Sequence, residues 1–399
     1  MIRRIIPILL AFVFLAASIV YVSDTKQPSK QESEEEISDP DKPVEELRGV
    51  WVTYMTLDVE DEADKESAFK SRIDSIVEDM NAFDLNTMIV QVRPFADALY
   101  HSRYYPWSHI LTGSQGVDPG YDPLEYIIDQ AHKSNIKVHA WINPYRISTA
   151  NTPSELSGDN PYIKDNDIGV EINNALYLDP SSDKARRLIV NGAAEIAEKY
   201  DIDGIQFDDY FYPPDCGDFD SGAYEEYCSD TDSPLSLDGF RRDNVNKLIK
   251  AVFEAVHKAK RDTVFGISPQ GNLSNNDGLY ADVKTWCKED GYIDYICPQL
   301  YFSLDNPALT FEESLRDWLE TEKHDGLDMY IGLPAYKAGT DADEGTWLDN
   351  DDILETEIGI LREKGCQGFM LYSYDSFHNE ENSAEIQNVM NYLTTSPTQ

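Results

Sequence analysis

The segment DIDGIQFDDYFYPPD, residues 201–215, runs a short apolar strand into two adjacent carboxylates and then three aromatic residues. A buried acid is costly unless it is paired or hydrogen-bonded. Asp208 and Asp209 at the mouth of a core strand therefore fit acid–base chemistry, metal ligation or a plain polar strand end. Strand alternation divides the pair: Gln206, Asp208 and Tyr210 share one face, and Ile205, Phe207 and Asp209 the other. Ile205 and Phe207 suit a helix layer, which turns Asp208 inward beside Gln206. Asp209 is left to support a loop, cap a helix or accept from a backbone amide, and Tyr210, Phe211 and Tyr212 read as cleft wall rather than core.

The elements that must position these residues alternate along the body. Strand candidates are residues 48–55, 86–93, 137–144, 204–211, 263–271, 294–302, 329–336 and 368–375. Between them, 66–83, 123–135, 184–200, 241–259, 309–322 and 352–365 carry apolar residues at i, i+3, i+4 and i+7, the mark of a helix packed on one face. Eight near-continuous apolar strands with crossover helices predict an α/β fold, a (β/α)8 TIM barrel over residues 47–395. A doubly wound open sheet is the alternative, but no GxGxxG follows the first strand.

In such a barrel the site lies at the C-terminal ends of the strands. The first two strands end in Trp51, Tyr54, Gln91, Arg93 and, just beyond, Asp97. The third carries His139, Trp141, Asn143, Tyr145 and Arg146. Past the two aspartates come Ser268, Gln270 and Asn272, then Gln299 and Tyr301. The last two strands supply Tyr336, Lys337, Tyr372, Tyr374 and Asp375. Aromatic faces with amide and carboxylate hydrogen bonds match a sugar ring, which presents apolar C–H faces and equatorial hydroxyls.

The segments LRGVWVTY, NTMIVQVRPFADALY, KVHAWINPYRIS, LDPSSDKAR, DGIQFDDYFYP, FGISPQGN and GFMLYSY, in that order over residues 47 to about 377, resemble the glycosyl-hydrolase-like 10 family of bacterial envelope proteins. The resemblance implies a glycosidase-type barrel acting on cell-envelope polysaccharide, with peptide-free peptidoglycan glycan strands as one substrate. GIQFDDY is more distantly similar to the fourth-strand segment of α-amylase-type barrels, with Gln206 in place of an arginine. Laid on the chitinase-type pattern DGxDxDxE, Gln206 replaces an aspartate and Tyr210 replaces the glutamic acid that donates the proton.

Glycoside hydrolysis generally needs two carboxyls. Asp208 is expected as nucleophile or base; Asp97, Asp209, Asp375 and Glu344 are the candidate acids, with Asp97 and Asp375 preferred for lying just past strand ends. Two functions follow: an exported glycoside hydrolase with Asp208 essential, or a non-catalytic glycan-binding envelope protein that kept the aromatics without a competent acid. No metal or cofactor is expected. Asp218-x-Asp220-x-Gly222 faintly echoes a calcium loop, but Ser229 stands where its terminal glutamate belongs. His139 is the sole histidine on a strand, and there is no HExxH.

Residues 1–23 place Arg3 and Arg4 before an apolar run from Ile5 to Val22, which reads as an export signal or a retained membrane anchor. Residues 24–46 have the composition of a disordered acidic linker. The partner is then a polysaccharide, with the membrane added if the signal stays uncleaved. The formal charge of −41 excludes nucleic acid, whose phosphates need lysine and arginine. Cys216 with Cys228, and Cys287 with Cys297, are conceivable disulfides beside the alternative of free thiols.

Overall fold

A computed structural model describes residues 45–213, 215–348 and 350–395. The expected signal or anchor, and the linker as far as residue 44, lie outside the described residues. Glu46, expected in that linker, instead belongs to the barrel: its carboxylate takes both Nε and Nη2 of Arg362, at 2.7 and 2.8 Å. Among the described residues no helix is long and apolar enough to cross a membrane.

Eleven strands form: β1 (Leu47–Val52), β2 (Thr87–Arg93), β3 (Lys137–Ile142), β4 (Arg146–Ser148), β5 (Gly169–Ile172), β6 (Ala175–Leu178), β7 (Gly204–Phe207), β8 (Val264–Ile267), β9 (Tyr295–Ile296), β10 (Asp328–Leu333) and β11 (Gly368–Leu371). Eight of them, β1, β2, β3, β7, β8, β9, β10 and β11, close in that order into a parallel barrel with helices between them. The expected (β/α)8 fold is the observed one. The later strands are shorter than their apolar runs, β9 pairing over only Tyr295–Ile296. The small antiparallel sheet β4-β6-β5 was not expected. It is built within the long connection after β3 from strands of three or four residues, too short to show a period.

Side-chain alternation sorts the core into two layers. Val50, Val90, Ile205, Phe207, Phe265 and Ile331 face the helices. Trp51, Ile89, Trp141, Tyr295, Cys297 and Met370 fill the barrel. Large interior groups need a small neighbour: a Cβ on Gly204 would stand 2.7 Å from the His139 ring, and one on Gly266 would enter the Tyr295 ring. All five cysteines are free, so neither conceivable disulfide forms.

The bottom of the barrel is closed by a repeated polar clamp. The residue before the second barrel strand, Asn86, accepts the Arg48 amide of the first at 2.9 Å. Asp203, before the fourth, accepts the Val138 amide of the third at 2.8 Å. Asp294 takes Phe265 N–H at 2.6 Å, and Gln367 takes Met329 N–H at 2.9 Å, in the same relation. Each clamp satisfies a strand-end amide that has lost its ladder partner. Asp203→Ala should therefore destabilise the fold by about 1–3 kcal/mol while leaving the opposite, C-terminal face intact. Chemical denaturation of the purified variant measures that loss.

Candidate active site

Strand β7 ends at Phe207, so the two aspartates lie beyond the last ladder bond, and alternation no longer binds Asp209. Both turn into the mouth, in opposite directions. Asp208 leans toward β3: Asn143 Nδ2 and Trp141 Nε1 (3.4 Å) donate to its Oδ2, and the Tyr210 amide donates to Oδ1 at 3.3 Å. Asp209 leans toward β8 and β9, where Gln270 Nε2 donates to Oδ2 and Gln299 Nε2 to Oδ1 at 3.2 Å. Of the supporting roles expected for Asp209, loop support and helix capping are corrected: two side-chain amides of neighbouring strand ends hold it, beside its own backbone amide. Those ends are kept together by isolated bridges from Gln270 to Gln299 and from Gln299 to Gly332.

Both carboxyls are buried. Burial, reinforced by the charge of Asp209, pushes Asp208 up to about 7, against the pull of Arg146 and of its hydrogen bonds. Burial also raises Asp209, opposed by its bonds to Gln270 and Gln299. The Asp209 charge opposes ionisation of Asp208, which keeps its proton up to about pH 7.

Beneath the pair, Trp51 Nε1 donates to Gln206 Oε1 at 2.6 Å, and Gln206 Nε2 reaches Met370 Sδ at 3.4 Å. Trp51 and Trp141 both meet Tyr372 edge-on. Tyr301, Tyr336 and Tyr372 pack on one another with centroids 5.8–6.0 Å apart, forming one wall. Tyr210, 51% exposed, and Tyr336, 43% exposed, offer ring surface to the opening. Gln91 works one step back, accepting the Tyr54 amide at 2.9 Å and donating to Asn143 Oδ1 at 2.6 Å.

Other expected site residues fall elsewhere. Asp97 is wholly buried in the loop after β2, bound to His109 Nδ1 (3.3 Å) and Gln115 Nε2 (3.0 Å), and does not line the mouth. Asp375 sits on the outer rim, accepting from Thr56 Oγ1 at 2.9 Å. Glu344 is exposed, on a left-handed turn with φ of 61°. His139 lies a layer below the site, bonded to Tyr295 Oη at 3.0 Å, and burial lowers it to about 4, so it stays neutral. Arg93 is buried and donates to the Asn143 and Pro144 carbonyls, shaping the backbone rather than facing the opening. Tyr145 is core, Tyr374 bonds Asp79 on the outer side, and Asn272 caps the turn 273–279. Phe211 and Tyr212, expected in the cleft wall, are core as well: Phe211 packs on Trp286 and Tyr212 on Tyr280. Asp220 of the calcium-like stretch is held by Arg241 Nε and Nη2 at 2.8 and 2.6 Å.

Sequence reasoning placed Arg146 only as a strand-end residue. In the fold its Nη2 donates to Asn143 Oδ1 at 3.1 Å, joining the network behind Asp208. The turn at Pro144, which brings positions i and i+3 together in NPYR, was the available signal.

Comparison with known proteins agrees with this architecture. The chain is 39% identical over 354 residues to the glycosyl hydrolase YngK of Bacillus subtilis, covering 82% of this chain and 68% of that one. It is 29% identical over 345 residues to the glycosyl hydrolase DigH of Escherichia coli, covering 77% and 78%. Among solved structures, the PgaB (BpsB) glycoside hydrolase domain from Bordetella bronchiseptica superposes with a TM-score of 0.56 at 15% identity, over 87% of this chain and 99% of that domain. Alpha-L-fucosidase isoenzyme 2 from Paenibacillus thiaminolyticus gives 0.54 at 14% identity, over 87% of this chain and 49% of the other. These two share the fold. The glycosyl hydrolase-like 10 profile matches residues 46–349, most of the barrel, and the chain belongs to that family.

Proposed function

We propose that this glycosidase-type barrel is an exported glycoside hydrolase of cell-envelope polysaccharide, with peptide-free peptidoglycan glycan strands as a substrate. The observation that carries this reading is the buried Asp208–Asp209 pair beneath an aromatic opening. The export step rests on the arginines and apolar run of residues 1–23, and the substrate class rests on the family resemblance.

The pair divides the labour. Asp208, expected from sequence as nucleophile or base, carries the proton near neutral pH because burial and Asp209 raise it to about 7. A value near the working pH suits acid–base catalysis. Asp208 protonates the leaving oxygen and later activates water; Asp209, held by Gln270 and Gln299, faces the positive charge developing on the sugar. Both rise from one strand end, so the attacking group comes from the substrate or from water.

Reducing-end release from amidase-treated peptidoglycan tests the reading. Asp208→Asn should lower kcat by about 10²–10⁴-fold. It should also stabilise the fold. Folded Asp208 keeps its proton up to about pH 7, whereas an unfolded aspartate loses it near pH 4, so stability is lost as pH rises through that window. The neutral amide removes this loss, a gain on the order of 1–3 kcal/mol at pH 8 and little at pH 4. If wild type binds glycan yet releases no ends, the protein is a non-catalytic glycan binder.

The pH profile gives a separate check. The kcat/KM of wild type should fall as pH rises through about 7, as Asp208 deprotonates, and fall again at acid pH as Asp209 gains a proton. In Asp208→Asn the alkaline limb should disappear from the residual activity. An alkaline limb unchanged by that substitution would assign the proton elsewhere.

A further inference from the structure

Asn143 holds Asp208 through its amide nitrogen, and an amide can turn either way unless its oxygen is claimed. Here Oδ1 accepts both Gln91 Nε2, at 2.6 Å, and Arg146 Nη2, at 3.1 Å, which leaves Nδ2 aimed at the carboxylate. Arg146 is fixed in turn. Its Nε donates to the Pro94 carbonyl at 2.7 Å, and its guanidinium lies over the Phe95 ring, 4.9 Å from the centroid. The other cation of this corner, Arg93, is committed to the Asn143 and Pro144 carbonyls and stacks on Tyr105.

From this chain of contacts we infer that Arg146 is the positioning residue for Asp208, acting through Asn143 to set how readily that carboxyl releases its proton. The inference rests on the acid–base role proposed above for Asp208. A guanidinium is permanently charged, and by drawing on Asn143 Oδ1 it polarises the amide and strengthens donation from Nδ2. It thereby stabilises the carboxylate that remains once the leaving group takes the proton. The titratable and charged groups facing Asp208 are Asp209 and Tyr210 on its own segment, Arg146 from the loop after β3, and Tyr372 from the end of β11. Burial raises both tyrosines, Tyr210 to about 12, so Asp209 and Arg146 govern the neutral range.

The test compares wild type, Arg146→Met and Arg146→Lys, each with and without Asp208→Asn. Arg146→Gln, which keeps a donor toward Asn143, serves where Arg146→Met does not fold. Removing the charge should move the alkaline limb of kcat/KM upward by about one pH unit, with a smaller shift in Arg146→Lys. Melting temperatures from pH 5 to pH 9 read the same linkage without turnover. The gap between wild type and Arg146→Met should widen as pH rises, because ionised Asp208 has lost its support. In the Asp208→Asn background the gap should become independent of pH. A gap that is flat in wild type, or that still widens when residue 208 is Asn, overturns the inference. Since melting needs no substrate, that failure is distinct from a failure to hydrolyse glycan.

Discussion

A closed parallel barrel must join its last strand to its first in register, and a slip of one residue would exchange every interior side chain for an exterior one. In this chain the register is pinned from below. Asn86, Asp203, Asp294 and Gln367 stand before alternate barrel strands, and each accepts one backbone amide from the preceding strand. The four bonds divide the barrel into four strand pairs held by the same device. With the lower rim fixed, the upper strand ends have defined heights, and β3, β7, β8 and β9 deliver Asn143, the two aspartates, Gln270 and Gln299 to one level.

Two acids elsewhere in the fold show how a buried carboxylate can be met by a cation. Asp220 receives two guanidinium nitrogens from Arg241. Glu195 binds Ser102 Oγ, the Arg103 amide and guanidinium, and Lys199. Each has its charge met directly by a cation. The mouth pair has amides, an indole and one cation at second hand, and its two members oppose each other. Glu357 and Glu385 form another buried acid pair, with burial raising both carboxyls, so what distinguishes the mouth pair is its place under the aromatic opening at the strand ends.

The same contrast explains what the sequence disclosed. The eight strands were readable because buried strands are apolar throughout, and Asp208 was placed correctly because alternation holds as far as Phe207. Asp209 was misplaced because that rule ends with the ladder at Phe207, two residues before it. Phe211 and Tyr212 look like any aromatic rim in the sequence; their burial against Trp286 and Tyr280 depends on helices and turns far along the chain. Asp97 failed for the opposite reason. Lying just past a strand end, it had the right position, but its burial with His109 and Gln115 is a tertiary fact. The clamps, too, were hidden: Asp203 stands just before a predicted strand and Asp294 opens the predicted strand 294–302, and neither position reveals its backbone partner.

Adjacency of the two carboxyls limits the chemistry the mouth can perform. In the usual glycosidase arrangement the carboxyls flank the scissile bond, one on each side of the sugar. Asp208 and Asp209 leave a single strand end, spread toward β3 on one hand and β8 and β9 on the other, and so approach a bound ring from the same edge. Among the acids of the facing loops, Asp343 is committed to Lys337 and the Trp347 indole and Asp375 to the Thr56 hydroxyl, while Glu344 is exposed on its turn. For the proposed hydrolysis this leaves two routes, attack by a substituent of the sugar itself or by a water that the Asp208 carboxylate activates. A 2-acetamido group supplies an oxygen for the first, and a carboxyl oxygen of Asp209 can accept that group's N–H. The hexosamine units of a peptidoglycan strand carry this substituent, so the glycan named on grounds of resemblance also suits a pair of neighbouring acids that leave one strand end.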